Sequence, residues 1–361
     1  MQTDVLIAGG GLSGLALADY LTRSGTDFLL VETQERLGGR IMTTDRAGGA
    51  FDLGPAWFWP GQPRIAALAR RFHIPVFEQH STGDVMFQDQ SGAVHRGRGF
   101  ASMQGSYRLE GGMGRLIDAL AKTLDPDRIL TDTRLDTVRN MPGAIAAQLN
   151  RGGAPLSIEA RQVVLAIPPR VIADTVSFEP ALDARHIQSL ENIPTWMAGQ
   201  AKIVAVYDEP HWRSAGLSGD AMSHRGPMVE VHDASPMEGG PYALFGFIGV
   251  PADIRASHKD QLVQHSLAQL TAMFGSEMAA PRDVILQDWA TIPEIARPQD
   301  RTPVSNHPNY GLPSPLHDLS KRGLYCTSTE TAEGFGGFLE GALEAAERTA
   351  TMTRSSTTVL A

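Results

Sequence analysis

Three glycines near the start of the chain have the spacing of a phosphate-binding turn. Gly9, Gly11 and Gly14 form G-x-G-x-x-G between a short apolar run and a segment with helical spacing. The first glycine of such a turn allows a tight bend, the second lets the backbone approach a pyrophosphate, and the third allows close helix packing. The start of the helix, with Ser13, then presents free N–H groups to the phosphates. Because Glu32 ends the next apolar run, where a carboxylate can bind an adenosine ribose, the segment predicts a dinucleotide site.

The residues after Glu32 indicate which dinucleotide is bound. The segment ERLGGR, residues 35–40, resembles the one that follows the ribose-binding glutamate in flavin amine oxidases, a family that includes monoamine and polyamine oxidases. The resemblance implies FAD, with Gly39 and Arg40 beside its pyrophosphate. A planar, permanently charged guanidinium suits that anion.

Further segments resemble the same family, in the same order along the chain. FDLGPAWFWPGQ, residues 51–62, is similar to the family's loop beside the isoalloxazine ring, with Gly54 and Pro55 close to it. YRLEGGMGRLIDALA resembles a glycine-marked entry into a helix, and VVLAIPP resembles the point where the chain leaves the FAD domain. Leu135 matches a residue whose backbone contacts the adenine. The resemblance thus covers most of the chain.

One lysine matches a residue near the reaction centre of these enzymes. AKIVAVYDEPHWR, residues 201–213, resembles the strand that carries a lysine above the flavin, and Lys202 is the matching position. On pattern alone, a strand lysine between apolar neighbours is equally well explained by a side chain that points into solvent. The resemblance implies instead that Lys202 holds a water next to flavin N5.

The C-terminal segment carries the most specific match. LYCTSTETAEGFGGFLEGALEAAERTA, residues 324–350, resembles the family's closing strand, turn and helix. The strand ends near Glu330, and the helix that follows directs its positive end toward the anionic N1 and O2 of a reduced flavin. The resemblance implies that the Leu339 N–H makes this contact and that Glu330 belongs to the cofactor site. Ser328 stands where relatives commonly have glycine.

Aromatic residues are candidates for the amine pocket. Monoamine oxidases flank the amine with two aromatic rings, and Phe338 matches one of these positions. Tyr310, in VSNHPNYGLPSP, is the candidate for the second, and Trp289 competes with it. The cluster 57–59 (Trp-Phe-Trp) fits substrate contacts and interdomain packing equally well.

The elements that must position these residues indicate two intertwined domains. Strand, turn and helix at the N-terminus form a βαβ unit, but the middle of the chain does not continue a strict βα alternation. We predict an α/β protein with a Rossmann-like FAD-binding domain and an interleaved α+β substrate domain, a two-domain architecture like that of glutathione reductase. The FAD-binding domain is assigned to 1–62, 104–172 and 318–354, the substrate domain to 63–103 and 173–317, and a tail to 355–361. Relatives carry a large helical insertion where this chain has only about 63–103.

The composition excludes several classes of partner. A formal net charge of -9, with no run of Lys or Arg, argues against nucleic acid and anionic membranes. The absence of an N-terminal signal and of an apolar tail favours a cytoplasmic location. The single cysteine, Cys326, excludes an internal disulfide, and it lies outside the region where relatives attach FAD, so we expect noncovalent FAD. No His-x-x-x-His pair or cysteine cluster is present, and we expect no metal.

These observations favour an FAD-dependent amine oxidase that converts a small amine to imine and aldehyde, with O2 reduced to H2O2. Two alternatives stay open: a flavin-dependent desaturase, dehydrogenase or renalase-like oxidase of another substrate, and a flavin-stabilised interaction module. Aromatic monoamines, aliphatic amines and polyamines are not distinguished, a homodimer is neither required nor excluded, and the physiological electron acceptor is open.

Overall fold

The computed structural model describes residues 1–97, 99–302 and 306–358, with side chains as far as 353. Its helices are α1 Leu12–Ser24, α2 Pro63–Arg71, α3 Gly114–Lys122, α4 Pro169–Thr175, α5 Ala184–Glu191, α6 His211–Ser214, α7 Ala252–Ser257, α8 Lys259–Phe274, α9 Ser314–His317 and α10 Leu339–Thr358. Its strands are β1 Gln2–Ala8, β2 Phe28–Val31, β3 Thr43–Arg46, β4 Gly49–Asp52, β5 Val76–Glu78, β6 Asp84–Gln88, β7 Val94–Gly97, β8 Tyr107–Leu109, β9 Ile129–Leu130, β10 Thr133–Met141, β11 Ala144–Arg151, β12 Ala154–Leu165, β13 Ser177–Glu179, β14 Ala201–Tyr207, β15 Leu217–Ser223, β16 Met228–Asp233, β17 Tyr242–Ile248, β18 Asp283–Asp288 and β19 Leu324–Cys326.

The first sheet contains a parallel unit that is buried on both faces. Strands β9, β2, β1 and β12 lie side by side in parallel, and β19 pairs with the end of β12. Val5 and Ile7 of β1 pack against α1 and α10, whereas Leu6 and Ala8 pack into the opposite layer with α4 and α5. Because neither face meets water, these strands read as continuous apolar runs. The predicted Rossmann-like unit is confirmed.

Strand β12 connects this parallel unit to an antiparallel extension. Its first half pairs with β11, and its second half, Val163–Leu165, pairs with β19. Strands β10 and β13 complete the extension, so that among the described residues the sheet has eight strands. The short β13 lies in the range 173–317 that the sequence assigned to the substrate domain, yet it pairs with β10. A three-residue strand has no periodicity from which its sheet could be predicted.

The second sheet places β14 between β18 and β17, and continues through β16, β15, β6 and β7. Ala201, Ile203 and Ala205 of β14 pack against α8. Val204 and Val206 point the other way and pack with Phe51 of β4 and with Leu53, which follows this strand. Both faces of β14 are therefore buried, so that no residue on this strand is directed into solvent.

The ends of the chain differ from the sequence interpretation in one respect. The closing helix, predicted within residues 324–350, begins at Leu339 and continues to Thr358, through most of the predicted tail. Residues 359–361 of that tail, and positions 98 and 303–305 of the predicted substrate domain, lie outside the described residues. In the part of the chain that is described, none of the helices has the length and apolarity needed to span a bilayer.

A buried carboxylate on α10 holds the start of α2. Glu340 has no solvent exposure and accepts hydrogen bonds from the backbone N–H groups of Arg64 (3.1 Å) and Ile65 (3.0 Å). Glu347, half exposed, pairs with the Arg64 side chain at 2.8 Å. Arg64 thus has one buried and one exposed carboxylate partner.

We expect Glu340→Ala to lower the free energy of unfolding by about 3 kcal/mol, because one buried and one partly buried N–H group lose their acceptor. Glu347→Ala is the matched control and should cost less than about 1 kcal/mol, because its ion pair is exposed to water. Urea unfolding of both variants at equal flavin saturation measures the difference. Equal losses would contradict the assigned role of Glu340.

Candidate active site

One cavity of about 800 Å³ runs from the glycine turn of the first sheet to the inner face of the second. The predicted site residues that line it are Gly9, Gly11, Ser13, Glu32, Gly39, Arg40, Gly54, Pro55, Leu135, Lys202, Phe338 and Leu339. Gly14, Glu330 and Tyr310 are not among its lining residues. The fold therefore brings together residues that are more than three hundred positions apart in the sequence.

The three glycines of the turn are needed for different reasons. Gly9 has a φ of +113°, and a Cβ atom there would lie 2.3 Å from the Ala166 carbonyl oxygen. A Cβ atom on Gly14 would lie 1.9 Å from the Gly9 oxygen, so Gly14 serves helix packing behind the cavity. A Cβ atom on Gly11 would meet only the Gly38 oxygen, at 3.9 Å, and would otherwise occupy the cavity. The open space in front of Gly11 fits a pyrophosphate next to the N-terminus of α1.

Glu32 lies where β2 ends, at the wall of the cavity. Its carboxylate accepts hydrogen bonds from the N–H groups of Gly10 (2.6 Å) and Gln34 (2.8 Å). Burial raises the pKa of Glu32, although both N–H groups favour its charged form. A carboxylate held in this way can also accept hydrogen bonds from a ribose, because each oxygen accepts more than one.

Arg40 is positioned by Glu330. The Arg40 guanidinium donates two hydrogen bonds to the Glu330 carboxylate, at 2.6 and 3.1 Å, and a third to the Trp196 carbonyl at 3.3 Å. Glu330 is completely buried, so it supports the wall of the cavity from behind through Arg40. Gly54 packs directly against the Arg40 backbone, because a Cβ atom at Gly54 would lie 1.9 Å from the Arg40 carbonyl oxygen.

Lys202 points into the molecule. Its side chain is 2% exposed, and its Nζ donates to the carbonyl oxygens of Asp52 (2.9 Å) and Gly54 (3.0 Å). The Nζ also lies 3.9 Å from the centre of the Phe245 ring. Burial lowers the pKa of Lys202 to about 7, and the nearby Asp52 carboxylate opposes this only in part. The amine is therefore poised to lose its proton near neutral pH.

Aromatic rings surround the same end of the cavity. Phe338 meets Trp59 edge to face, with ring centres 5.9 Å apart, and it stacks with the His307 ring at a centre distance of 5.1 Å. Trp196, Trp289 and Phe247 also line this end. Tyr310 lies behind His307, and its hydroxyl donates to the Pro194 carbonyl at 2.8 Å. The first part of the Tyr310 segment, positions 304 and 305, lies outside the described residues.

The helix α10 begins at the cavity wall with Leu339. Thr329 Oγ1 donates to the Phe338 carbonyl at 2.6 Å, which ties the turn after β19 to the helix start. Gly341 allows close packing here, because a Cβ atom would lie 2.1 Å from the Phe335 oxygen. The first N–H groups of a helix have no acceptor within it, so this end is suited to an anionic group.

Sequence reasoning missed two polar residues of the site. Glu230 of β16 lines the cavity, and His232, two positions later, lies directly behind it. Their alternation with apolar neighbours indicates a strand but not which face is turned toward a cavity. Trp196 was missed for a similar reason, since a loop residue carries no periodicity.

Comparison with known proteins agrees with this geometry. Residues 87–352, more than half of the chain, match the family of flavin containing amine oxidoreductases. The chain belongs to this family. Residues 7–81 match the NAD(P)-binding Rossmann-like domain. The protein is therefore an oxidoreductase of a flavin-dependent family, as the resemblance predicted.

The chain is similar to several amine oxidases along nearly its whole length. AofH of Mycobacterium tuberculosis, described as a flavin-containing monoamine oxidase, is 27% identical over 96% of this chain and 95% of its own. Human amine oxidase [flavin-containing] B is 21% identical over 97% and 85%. The structure of putrescine oxidase bound to putrescine superimposes with a TM-score of 0.82 at 19% identity, covering 98% of this chain and 99% of that one. The last comparison confirms the two-domain fold.

The residues present fit a flavin dinucleotide. The glycine turn leaves open space at Gly11, Glu32 presents a carboxylate, and the N-terminus of α10 lies at the far end of the same cavity. When bound, a flavin accepts a hydride equivalent from the substrate carbon and passes two electrons to an acceptor.

We expect Gly11→Ala and Gly9→Ala to separate binding from folding. Gly11→Ala should fold with an unchanged circular dichroism spectrum but bind its flavin cofactor at least about tenfold more weakly, because its methyl group fills the space in front of the turn. Gly9→Ala should lose folded protein, because its Cβ atom meets backbone at 2.3 Å. Full flavin occupancy in Gly11→Ala would contradict a phosphate position in front of Gly11.

We also expect Lys202 to affect stability as a function of pH. Because its pKa is lowered to about 7 in the folded protein, the unfolded chain binds one more proton between this value and the ordinary 10.5. The free energy of unfolding should therefore rise with pH in this window, by up to about 1.4 kcal/mol per pH unit, relative to Lys202→Met. Denaturant unfolding at several pH values measures this slope.

The control for this slope is Lys259→Met, which removes an exposed lysine on α8. Its stability curve should run parallel to that of the unchanged protein. A Lys202→Met curve that is also parallel would show that the Lys202 pKa is not lowered.

Proposed function

We propose that this protein is an FAD-dependent amine oxidase that binds FAD noncovalently. It converts a small amine, water and O2 into an aldehyde, ammonia and H2O2, by oxidation to an imine followed by hydrolysis. The observation that carries the proposal is the buried Lys202 amine, which lies at the aromatic end of a cavity whose other end suits a dinucleotide.

The environment of Lys202 supports a role in handling water. A neutral lysine amine has two N–H groups and one lone pair. Lys202 donates to the carbonyls of Asp52 and Gly54, so its lone pair is left to accept a hydrogen bond from a water in the cavity. Such a water is available for reaction with an imine and for proton exchange during reoxidation by oxygen.

The aromatic end of the cavity supports oxidation of a neutral amine. Rings of Trp59, Phe338 and Trp196 restrict water there, and a desolvated amine loses its proton more readily than one in water. We assign Phe338 to one side of the amine. Tyr310 is proposed as a support for the aromatic wall through His307, because its hydroxyl is engaged with Pro194.

The remaining assignments concern the cofactor. Gly9, Gly11, Ser13 and Arg40 are proposed around the pyrophosphate, and Glu32 at the ribose. The rest of the proposed cofactor wall consists of Gly39, Gly54, Pro55, Leu135 and Leu339. Gly14 supports this wall through its packing against Gly9, and Glu330 supports it through Arg40. Noncovalent binding is supported by Cys326, the single cysteine, which lies buried in β19 and outside the cavity lining.

The first experiment is anaerobic mixing of the purified flavoprotein with monoamines, polyamines, amino acids and reduced nicotinamides. Rapid bleaching of the flavin by amines, followed by peroxide when air is readmitted, is the expected result. Bleaching by reduced nicotinamides alone would favour the renalase-like alternative. Bleaching by none of these donors would favour a desaturase or an interaction module.

We expect Lys202→Met to slow peroxide formation by roughly 100-fold while FAD stays bound, because the water loses its hydrogen-bond partner. The measurement is stopped-flow reduction by an amine, followed by reoxidation with oxygen. Lys259→Met is again the control, since its side chain is exposed. An unchanged rate of both half-reactions in Lys202→Met would remove the assigned role.

A further inference from the structure

A cluster of polar side chains lies in the second sheet at the cavity wall. His232 is 1% exposed, and its Nδ1 lies 3.0 Å from Asp220 Oδ2 while its Nε2 lies 3.1 Å from Glu230 Oε1. Ser102 donates to Glu230 at 2.7 Å and approaches Asp220 at 3.3 Å. Glu230 is the member of this cluster that lines the cavity.

The cluster carries a net negative charge. Burial alone would lower the pKa of His232, but Asp220 and Glu230 outweigh it and raise the pKa above its ordinary value. Burial alone would raise the pKa of Glu230, and its contacts with His232 and Ser102 outweigh this and lower it. Even with His232 protonated, the two carboxylates of the cluster outnumber its single cation, and Glu230 is the carboxylate at the cavity wall.

Glu230 lies in the same cross-strand row as Lys202. Lys202 is paired with Phe247, and Phe247 is paired with Glu230 on its other side. Residues opposite one another in antiparallel strands point to the same face, so all three face the cavity. Two strand spacings separate the Cα atoms of Lys202 and Glu230 by about 10 Å.

The other acidic residues that line the described part of the cavity lie at the dinucleotide end. Glu32 ends β2, and Glu294 interacts electrostatically with Glu32 and with Arg134 of β10. An amine whose reacting nitrogen lies near Lys202 therefore has Glu230 as its nearest acidic partner along the wall. The Glu230 carboxylate accepts a hydrogen bond from Ser102 and lies beside the His232 ring, and it is a suitable acceptor for an ammonium group.

We propose that Glu230 binds a second ammonium group of the substrate, so that the preferred substrates are linear diamines with terminal amino groups. The inference rests on the proposed function and names the substrate class of that site. The reacting nitrogen lies neutral among the aromatic rings near Lys202, while the distant nitrogen stays charged at Glu230. A charge-assisted contact of this kind favours a diamine over the equivalent monoamine by roughly 10- to 100-fold.

The test compares terminal diamines, from diaminopropane to diaminooctane, with the 1-aminoalkanes of the same carbon number. We expect kcat/KM of the best diamine to exceed that of its monoamine by roughly 10- to 100-fold. Glu230→Gln should abolish most of this preference, since it keeps the size of the side chain but removes its charge. The exposed Glu209→Gln is the control for loss of one negative charge and should retain the preference.

A second variant separates binding from a purely structural role. Glu230→Asp keeps the charge but withdraws the carboxylate by about one carbon–carbon bond. We expect the preferred diamine to be longer by one methylene group. A carboxylate that only stabilises the strands would not shift this preferred chain length. Flavin absorbance and the melting temperature of each variant report whether it is folded.

The outcomes distinguish the two proposals. Equal kcat/KM for diamines and monoamines in the unchanged protein, or an equal loss for both in Glu230→Gln, would overturn the inference and leave the amine oxidase function in place. An unchanged chain-length optimum in Glu230→Asp would also count against it. If no amine of either series reduces the flavin, the proposed function fails as well.

Discussion

The contact between the Lys202 amine and the backbone of residues 52–54 is the constraint on which the site depends. A lysine nitrogen buried this deeply requires acceptors, and the carbonyls of Asp52 and Gly54 supply them. The contact joins strand β14 of the second sheet to the end of β4 and the two residues that follow it. The Asp52 carboxylate meanwhile accepts from the Met113 N–H just before α3 begins, so the same segment is held from both sides.

The cavity that results changes in character along its length. At one end, the backbone at Gly11 and the start of α1 suit a phosphate group, because free N–H groups and the positive end of the helix dipole favour an anion. At the other end, aromatic rings reduce the polarity around Lys202, and burial lowers the pKa of this amine. One end therefore suits an anionic group, whereas the surroundings of Lys202 favour an uncharged amine. This contrast supports the proposed placement of an anionic dinucleotide at one end and of a neutral reacting amine at the other.

The short segment 63–103 contributes to the wall of the site despite its length. Strand β6 joins the second sheet beside β15, and Ser102 donates to the Glu230 carboxylate. The alignment with AofH extends over 449 positions, more than the 361 residues of this chain can fill without gaps. This chain thus makes polar contacts to the cavity wall from segment 63–103, although it is shorter than the relative.

The sequence by itself determined the local parts of this protein. The glycine turn, the acidic end of β2 and the helix after β19 are each encoded within a few residues, so spacing and residue type were sufficient to predict them. The tertiary structure alone decided which side chains face the cavity. Periodicity could not distinguish a buried Lys202 from an exposed one, because only sheet packing buries both faces of β14. The same holds for Glu230, since its place opposite Phe247 depends on strand register, a long-range pairing that neither segment encodes alone.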